Sequence, residues 1–136
     1  MTSGHAAILP ALLVGLVIPI ITRADTAPAP GAVEIVASKR AFMPEVVTLQ
    51  LGRPATLVIR NEDEDLHAFV PLLLFQHTNV QVRGNGAPEF NETGFTRVLI
   101  PPHGSTELRF TPKTSGTFFY ICDLPGHNMR AEIIVH

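Results

Sequence analysis

Along the chain, short runs of apolar residues, several of them alternating with polar ones, are separated by Gly and Pro. Val33–Ala37 (VEIVA), Val46–Leu51 (VVTLQL), Ala55–Arg60 (ATLVIR), Leu66–Val70 (LHAFV), Thr96–Ile100 (TRVLI), Ser105–Phe110 (STELRF), Gly116–Cys122 (GTFFYIC) and Arg130–Val135 (RAEIIV) are of this kind. Alternation with a period of two puts every second side chain on one face, the mark of a half-buried strand. Turn signals fall between the runs, among them Gly52-Arg53-Pro54, Pro101-Pro102, Thr111-Pro112 and Pro125-Gly126. No stretch sustains a helical period over ten positions, and no segment repeats. The pattern predicts an all-β domain of about eight short strands, arranged as an antiparallel sandwich or barrel.

Two stretches depart from it. Ala6–Ile21 (AAILPALLVGLVIPII) is an uncharged apolar run followed by Thr22-Arg23-Ala24. It reads as a secretory signal over residues 1–24, with cleavage after Ala24 and export to the periplasm or another extracytoplasmic space. The first five residues lack the usual Lys or Arg, and an uncleaved membrane anchor is the alternative. Against an anchor, the run is short for a spanning helix and contains Pro10 and Pro19. Residues 25–32 (DTAPAPGA) follow as a flexible leader, and the domain itself is expected over 33–136. The second departure is 71–95, a connection long for a small sandwich and therefore a candidate for function. Within it Leu72–Phe75 is expected to dock on the core and Asn79–Arg83 to add an edge strand. Asn91-Glu92-Thr93 fits the glycosylation pattern, which is too common by chance to carry weight.

Composition narrows the function. The chain has 136 residues, 46% of them hydrophobic, with 10 Lys plus Arg against 12 Asp plus Glu and a formal charge of −2. An apolar fraction of that size builds a core, which sets aside an acidic disordered chain. The balance offers no excess of basic residues to neutralise phosphates, so nucleic acid is not an expected partner. A single cysteine, Cys122, excludes any intrachain disulfide, although exported chains of this size often carry paired ones. The thiol is therefore buried and inert, free and reactive, or bound to something.

The segment Tyr120-Ile121-Cys122-Asp123-Leu124-Pro125-Gly126-His127-Asn128-Met129 bears on that choice. Cys122 ends an apolar run, and a Pro-Gly turn brings its two flanks together. Thiolate, imidazole and thioether form a soft donor set that suits copper. A second imidazole would complete a trigonal plane, and His67, inside LHAFV, is the best placed. Each residue alone has a plainer reading: Cys122 as a small buried hydrophobe, Met129 as core, His67 as a solvated or hydrogen-bonded histidine. Together, in an exported and cysteine-poor β protein, they make a rare coincidence.

The chain resembles the cupredoxin family, the small type 1 blue-copper proteins. The resemblance runs through Ala41-Phe42-Met43-Pro44-Glu45-Val46-Val47-Thr48-Leu49, Gly52-Arg53-Pro54 and the strand ending in Asn61 to His67-Ala68-Phe69. It continues in Pro102-His103-Gly104-Ser105, Phe110-Thr111-Pro112, Gly116–Cys122 and Met129–Val135. It implies a Greek-key sandwich holding one type 1 copper, with His67, Cys122 and His127 as equatorial ligands and Met129 as the weak axial one. It further implies a non-enzymatic electron carrier, monomeric, cycling Cu(I)/Cu(II) and meeting redox partner proteins near His127, whose edge Leu124 and Pro125 surround. Two positions differ from the family. Ala68 stands where Asn commonly follows the first ligand His, and one residue separates His127 from Met129 where two to four are usual.

Other sites are disfavoured. One cysteine excludes the dinuclear copper centre of oxidases, and no H-x-H motif supports a multicopper cluster. Structural zinc would call for more cysteines. His77, His103 and His136 read as exposed loop or terminal histidines, and a Cys122–His127 nucleophile lacks an evident orienting residue. The run Glu62-Asp63-Glu64-Asp65 is either a solvated turn or a patch that steers a basic redox partner. A protein that handles copper without shuttling electrons, or an assembly or sensor domain using 71–95, are the competing functions.

Overall fold

The computed structural model describes Met1, Gly4 and residues 31–136. The signal expected over 1–24 and most of the leader expected over 25–32 lie outside the described residues. Among those described there are eleven strands: β1 (Ala32–Ser38), β2 (Ala41–Met43), β3 (Val46–Leu49), β4 (Ala55–Asn61), β5 (His67–Phe69), β6 (Gln81–Gly84), β7 (Ala87–Asn91), β8 (Gly94–Ile100), β9 (Ser105–Phe110), β10 (Gly116–Cys122) and β11 (Met129–Val135). No described helix is long and apolar enough to cross a membrane.

The eight expected runs all become strands, and β2, β6 and β7 are additional. The strand expected at Asn79–Arg83 is β6, and it does lie at a sheet edge. β2 and β7 carry weak patterns for physical reasons: β2 has three residues, and β7 is exposed along its whole length. Without a buried face, β7 has no alternation to show.

One sheet has the order β2-β1-β4-β9-β6, and against it stand two three-stranded sheets, β10-β11-β3 and β5-β8-β7. A bridge between Val70 and Ile121 joins these last two. Alternating residues fill the space between, with Ile35, Ala37, Leu57, Ile59 and Leu108 meeting Val47, Tyr120, Ile133 and Val135 in one buried cluster. The pairing is not wholly antiparallel as expected, since β1 runs parallel to β4 and β3 parallel to β11. Between β1 and β4 the chain visits the opposite sheet as β3, and such a crossover brings β4 back in the direction of β1.

The segment 71–95 is drawn into this architecture. Leu74 and Phe75 are buried, and Phe75 packs edge-on against Phe95 and Phe110 with ring centroids 5.4 and 4.5 Å away. Leu72 and Leu73, expected to dock as well, are exposed instead. Adjacent positions in this short turn cannot all face inward. Gly84 passes so close to the next strand that a Cβ there would collide with the Ser105 carbonyl oxygen, and its φ of 108° favours glycine independently.

The β1–β2 hairpin turns on two residues, Lys39 and Arg40, with φ of 54° and 56°. Positive φ at both central positions matches the twist of the strands, but it strains residues other than Gly, Asn or Asp. Here the strain is offset from outside the hairpin. Both turn amides donate to the carboxylate of Asp63, Lys39 N at 2.7 Å and Arg40 N at 3.0 Å.

Candidate metal centre

Three donor atoms converge at one end of the sandwich. His67 opens β5, Cys122 closes β10, and His127 stands in the connection from β10 to β11; one ligand atom from each lies within 4.8 Å of the others. His67 Nδ1 is 3.0 Å from His127 Nδ1, and Cys122 Sγ is 3.4 Å from His127 Nδ1 and 4.0 Å from His67 Nδ1. The rings meet edge to face, 4.9 Å between centroids. His67 is fully buried, Cys122 is buried and His127 is half-buried. His67 is not solvated, but the hydrogen bond that its plainer reading allowed is present, to Asp63.

The loop sequence explains how this is reached. Cys122 and Met129 pair directly across β10 and β11, so their side chains leave the same face. Between them the chain reverses through Pro125 and Gly126, with His127 N donating to Leu124 O at 3.2 Å. The single residue between His127 and Met129 is Asn128, whose φ of 48° makes a sharp bend in one step. Asn tolerates that conformation better than most residues. Met129 is buried on the Cys122 side of the strand pair.

The first ligand loop is fixed by polar contacts that the sequence pattern did not disclose. Asn61 is fully buried, and its Nδ2 donates to the carbonyls of Asp65 (2.7 Å), Ile100 (3.0 Å) and Pro101 (3.1 Å). Its Oδ1 accepts from Asp63 N at 2.9 Å. Asp63 Oδ2 lies 2.8 Å from His67 Nε2. Desolvation pushes the Asp63 carboxyl upward, but hydrogen bonds from Arg40 N, His67 and Lys39 N outweigh it and hold the pKa at about 2. Where Ala68 removes a side chain that could tie the two loops, its backbone still does so, with Ala68 N donating to Cys122 Sγ at 3.3 Å. On the other flank Arg97 donates to Asp123 at 2.8 Å and grips Glu89 with two nitrogens, bracing the residue after Cys122 against β7.

Each member of the acidic run has a partner in the fold. Glu62 pairs with Arg60, Asp63 with His67, Glu64 with His103 and Asp65 with Arg40. The one sequence signal for Asp63 was its position four residues before His67. Of the remaining histidines, His77, His103 and His136 are exposed and lie outside the cluster.

A family model described as a cupredoxin-like domain matches residues 11–135. The chain belongs to the cupredoxin family. Solved structures agree on the cupredoxin fold at low identity. Auracyanin A of Chloroflexus aurantiacus, described as a "blue" copper protein, superposes with a TM-score of 0.58 at 19% identity, over 77% of this chain and 98% of its own. Reduced auracyanin of Roseiflexus castenholzii gives 0.57 at 19%, over 80% and 99%. A Cu(I) variant of amicyanin gives 0.53 at 16%, over 79% and 85%. No curated protein sequence matches the chain.

Proposed function

We propose that this cupredoxin is a small exported electron carrier, monomeric and non-enzymatic, in which His67, Cys122 and His127 would hold one type 1 copper with Met129 as a fourth, weak thioether ligand. The observation that carries the proposal is the convergence of two imidazole nitrogens and one thiol sulfur within 4.8 Å at the end of a closed β scaffold. The donor set fits the metal, since a thiolate with two imidazoles suits copper, and among the described residues no carboxylate belongs to the cluster. When bound, copper supplies a one-electron Cu(I)/Cu(II) couple.

The chain's part is to keep these donors in place. Cys122 and His67 are buried, so water is kept from two of the three donors. The amide of Ala68 places a hydrogen bond on the sulfur and so tunes its donor strength. Strand ends joined by Asn61 and Asp63 restrain the loop before His67, which would limit the rearrangement that a change of charge on copper demands. His127, beside the partly buried Leu124 and exposed Pro125, is the least buried of the three donors and so the port for a redox partner. The apolar run before Ala24 supports export of the chain. The segment 71–95, which keeps an assembly or sensor role in view, supplies β6, β7 and the buried Phe75, and it leaves Leu72, Leu73 and Phe90 exposed.

The test is direct. Cu(II) added to the purified protein should produce an intense visible thiolate-to-copper absorption that ascorbate bleaches, and Cys122→Ser should abolish it. A colourless protein, or a visible absorption that survives Cys122→Ser, refutes the proposal.

A further inference from the structure

We infer that Asp63 is a positioning residue for the metal centre: its carboxylate turns the His67 ring so that Nε2–H faces Asp63 and the Nδ1 lone pair faces Cys122 and His127. The inference rests on the copper reading above and adds the means by which one donor is oriented.

The argument begins with hydrogen-bond inventory. An ionised carboxylate only accepts, so the 2.8 Å contact from Asp63 Oδ2 requires the proton on His67 Nε2. A neutral imidazole protonated there leaves Nδ1 as the acceptor, and Nδ1 is the nitrogen 3.0 Å from His127 Nδ1 and 4.0 Å from Cys122 Sγ. His67 is fully buried, and among the described residues Asp63 is the one polar group in contact with Nε2, so the carboxylate holds the proton on that nitrogen while His127 faces the other. Asp63 is in turn held from three directions. Its own amide is fixed by Asn61 Oδ1, and its two carboxylate oxygens receive Lys39 N and Arg40 N. A group gripped in this way cannot follow the ring if the ring rotates, so it restrains the ring. Its negative charge also makes the imidazole a stronger donor, which favours the more highly charged Cu(II).

A rival role is visible in the same contacts. Asp63 also steadies the left-handed turn at Lys39 and Arg40, and its loss could act only through that turn. The experiment separates the two. In copper-free, ¹⁵N-histidine-labelled protein at a pH where histidine is neutral, long-range ¹H–¹⁵N NMR reads the His67 tautomer without reference to any metal. The native protein should show Nε2–H alone, and Asp63→Ala a mixture of tautomers. Asp63→Asn keeps an accepting oxygen but loses the charge, and it should retain the tautomer. On copper loading, Cu(II) affinity should fall about 10-fold to 100-fold in Asp63→Ala. In Asp63→Asn the reduction potential should rise, with the blue absorption retained.

Lys39→Gly in the Asp63→Ala background relieves the strained turn. It should recover thermal stability without recovering the tautomer or the copper affinity. The inference is overturned if Asp63→Ala leaves His67 wholly Nε2–H, if Asp63→Asn leaves the potential unchanged, or if Lys39→Gly restores the site along with the fold. Failure of the native protein to take up copper would refute the proposed function instead, and the metal-free tautomer would still decide the role of Asp63.

Discussion

Removing the side chain of Asn61 should destabilise the metal-free protein more than any other single polar truncation at this end of the sandwich. The residue is fully buried, and its amide meets three carbonyls, Asp65 O, Ile100 O and Pro101 O, while its oxygen accepts from Asp63 N. An amide has two N–H groups, so the three carbonyls share them, and the side chain makes the equivalent of three hydrogen bonds. At about 1 kcal/mol net each, Asn61→Ala loses about 3 kcal/mol, before counting carbonyls left without a partner. For a domain of this size that is a fall in melting temperature of roughly 15 °C. Thermal and urea unfolding followed by circular dichroism measure it, with an unchanged urea dependence showing that the unfolded state is unaffected. Asn61→Asp sharpens the test. It preserves shape and the oxygen facing Asp63 N, but sets a carboxylate oxygen against three carbonyl oxygens, and it should cost at least as much as Ala. A loss below about 1 kcal/mol for Ala, or a well-tolerated Asp, would refute the reasoning.

Other outcomes follow from the same contacts. Glu89 is held below its ordinary value of 4.5 chiefly by the hydrogen bonds from Arg97. The folded state therefore binds fewer protons, and the stabilisation is full above that ordinary value and lost as pH falls through the depressed one. Arg97→Gln should flatten the acidic limb of stability against pH, and an unaltered limb would contradict the pairing. Gly84→Ala combines a left-handed backbone with a collision at Ser105 O, and should lose about 3 kcal/mol or more in urea unfolding. His127→Gly should weaken copper binding and slow electron transfer to a partner in stopped-flow mixing; unchanged values for both would dismiss His127 as donor and port.

Much of the site was legible because it is local. Cys122, His127 and Met129 fall within one loop whose Pro-Gly turn announces the reversal, and the structure pairs Cys122 with Met129 across it. His67 lay in a readable strand, but its surroundings did not. Asp63 looked like one member of an acidic run, and only the fold reveals that each member of that run already has a cationic or histidine partner. The strands with a buried face were equally plain, whereas β7, exposed throughout, left no periodic trace. Strand direction is not encoded by alternation at all, which is why the parallel pairings of β1 with β4 and β3 with β11 came only with the structure.

The donors that meet at the centre are far apart in the chain: His67 and Cys122 are separated by 55 residues, His67 and His127 by 60. Closing loops of that length costs entropy that is recovered only when the strands between them pair. Until those strands pair, a chain has Cys122 and His127 near each other in one loop but lacks His67 beside them. The three-donor cluster is therefore a property of the assembled sandwich, present only in molecules whose strands have come together.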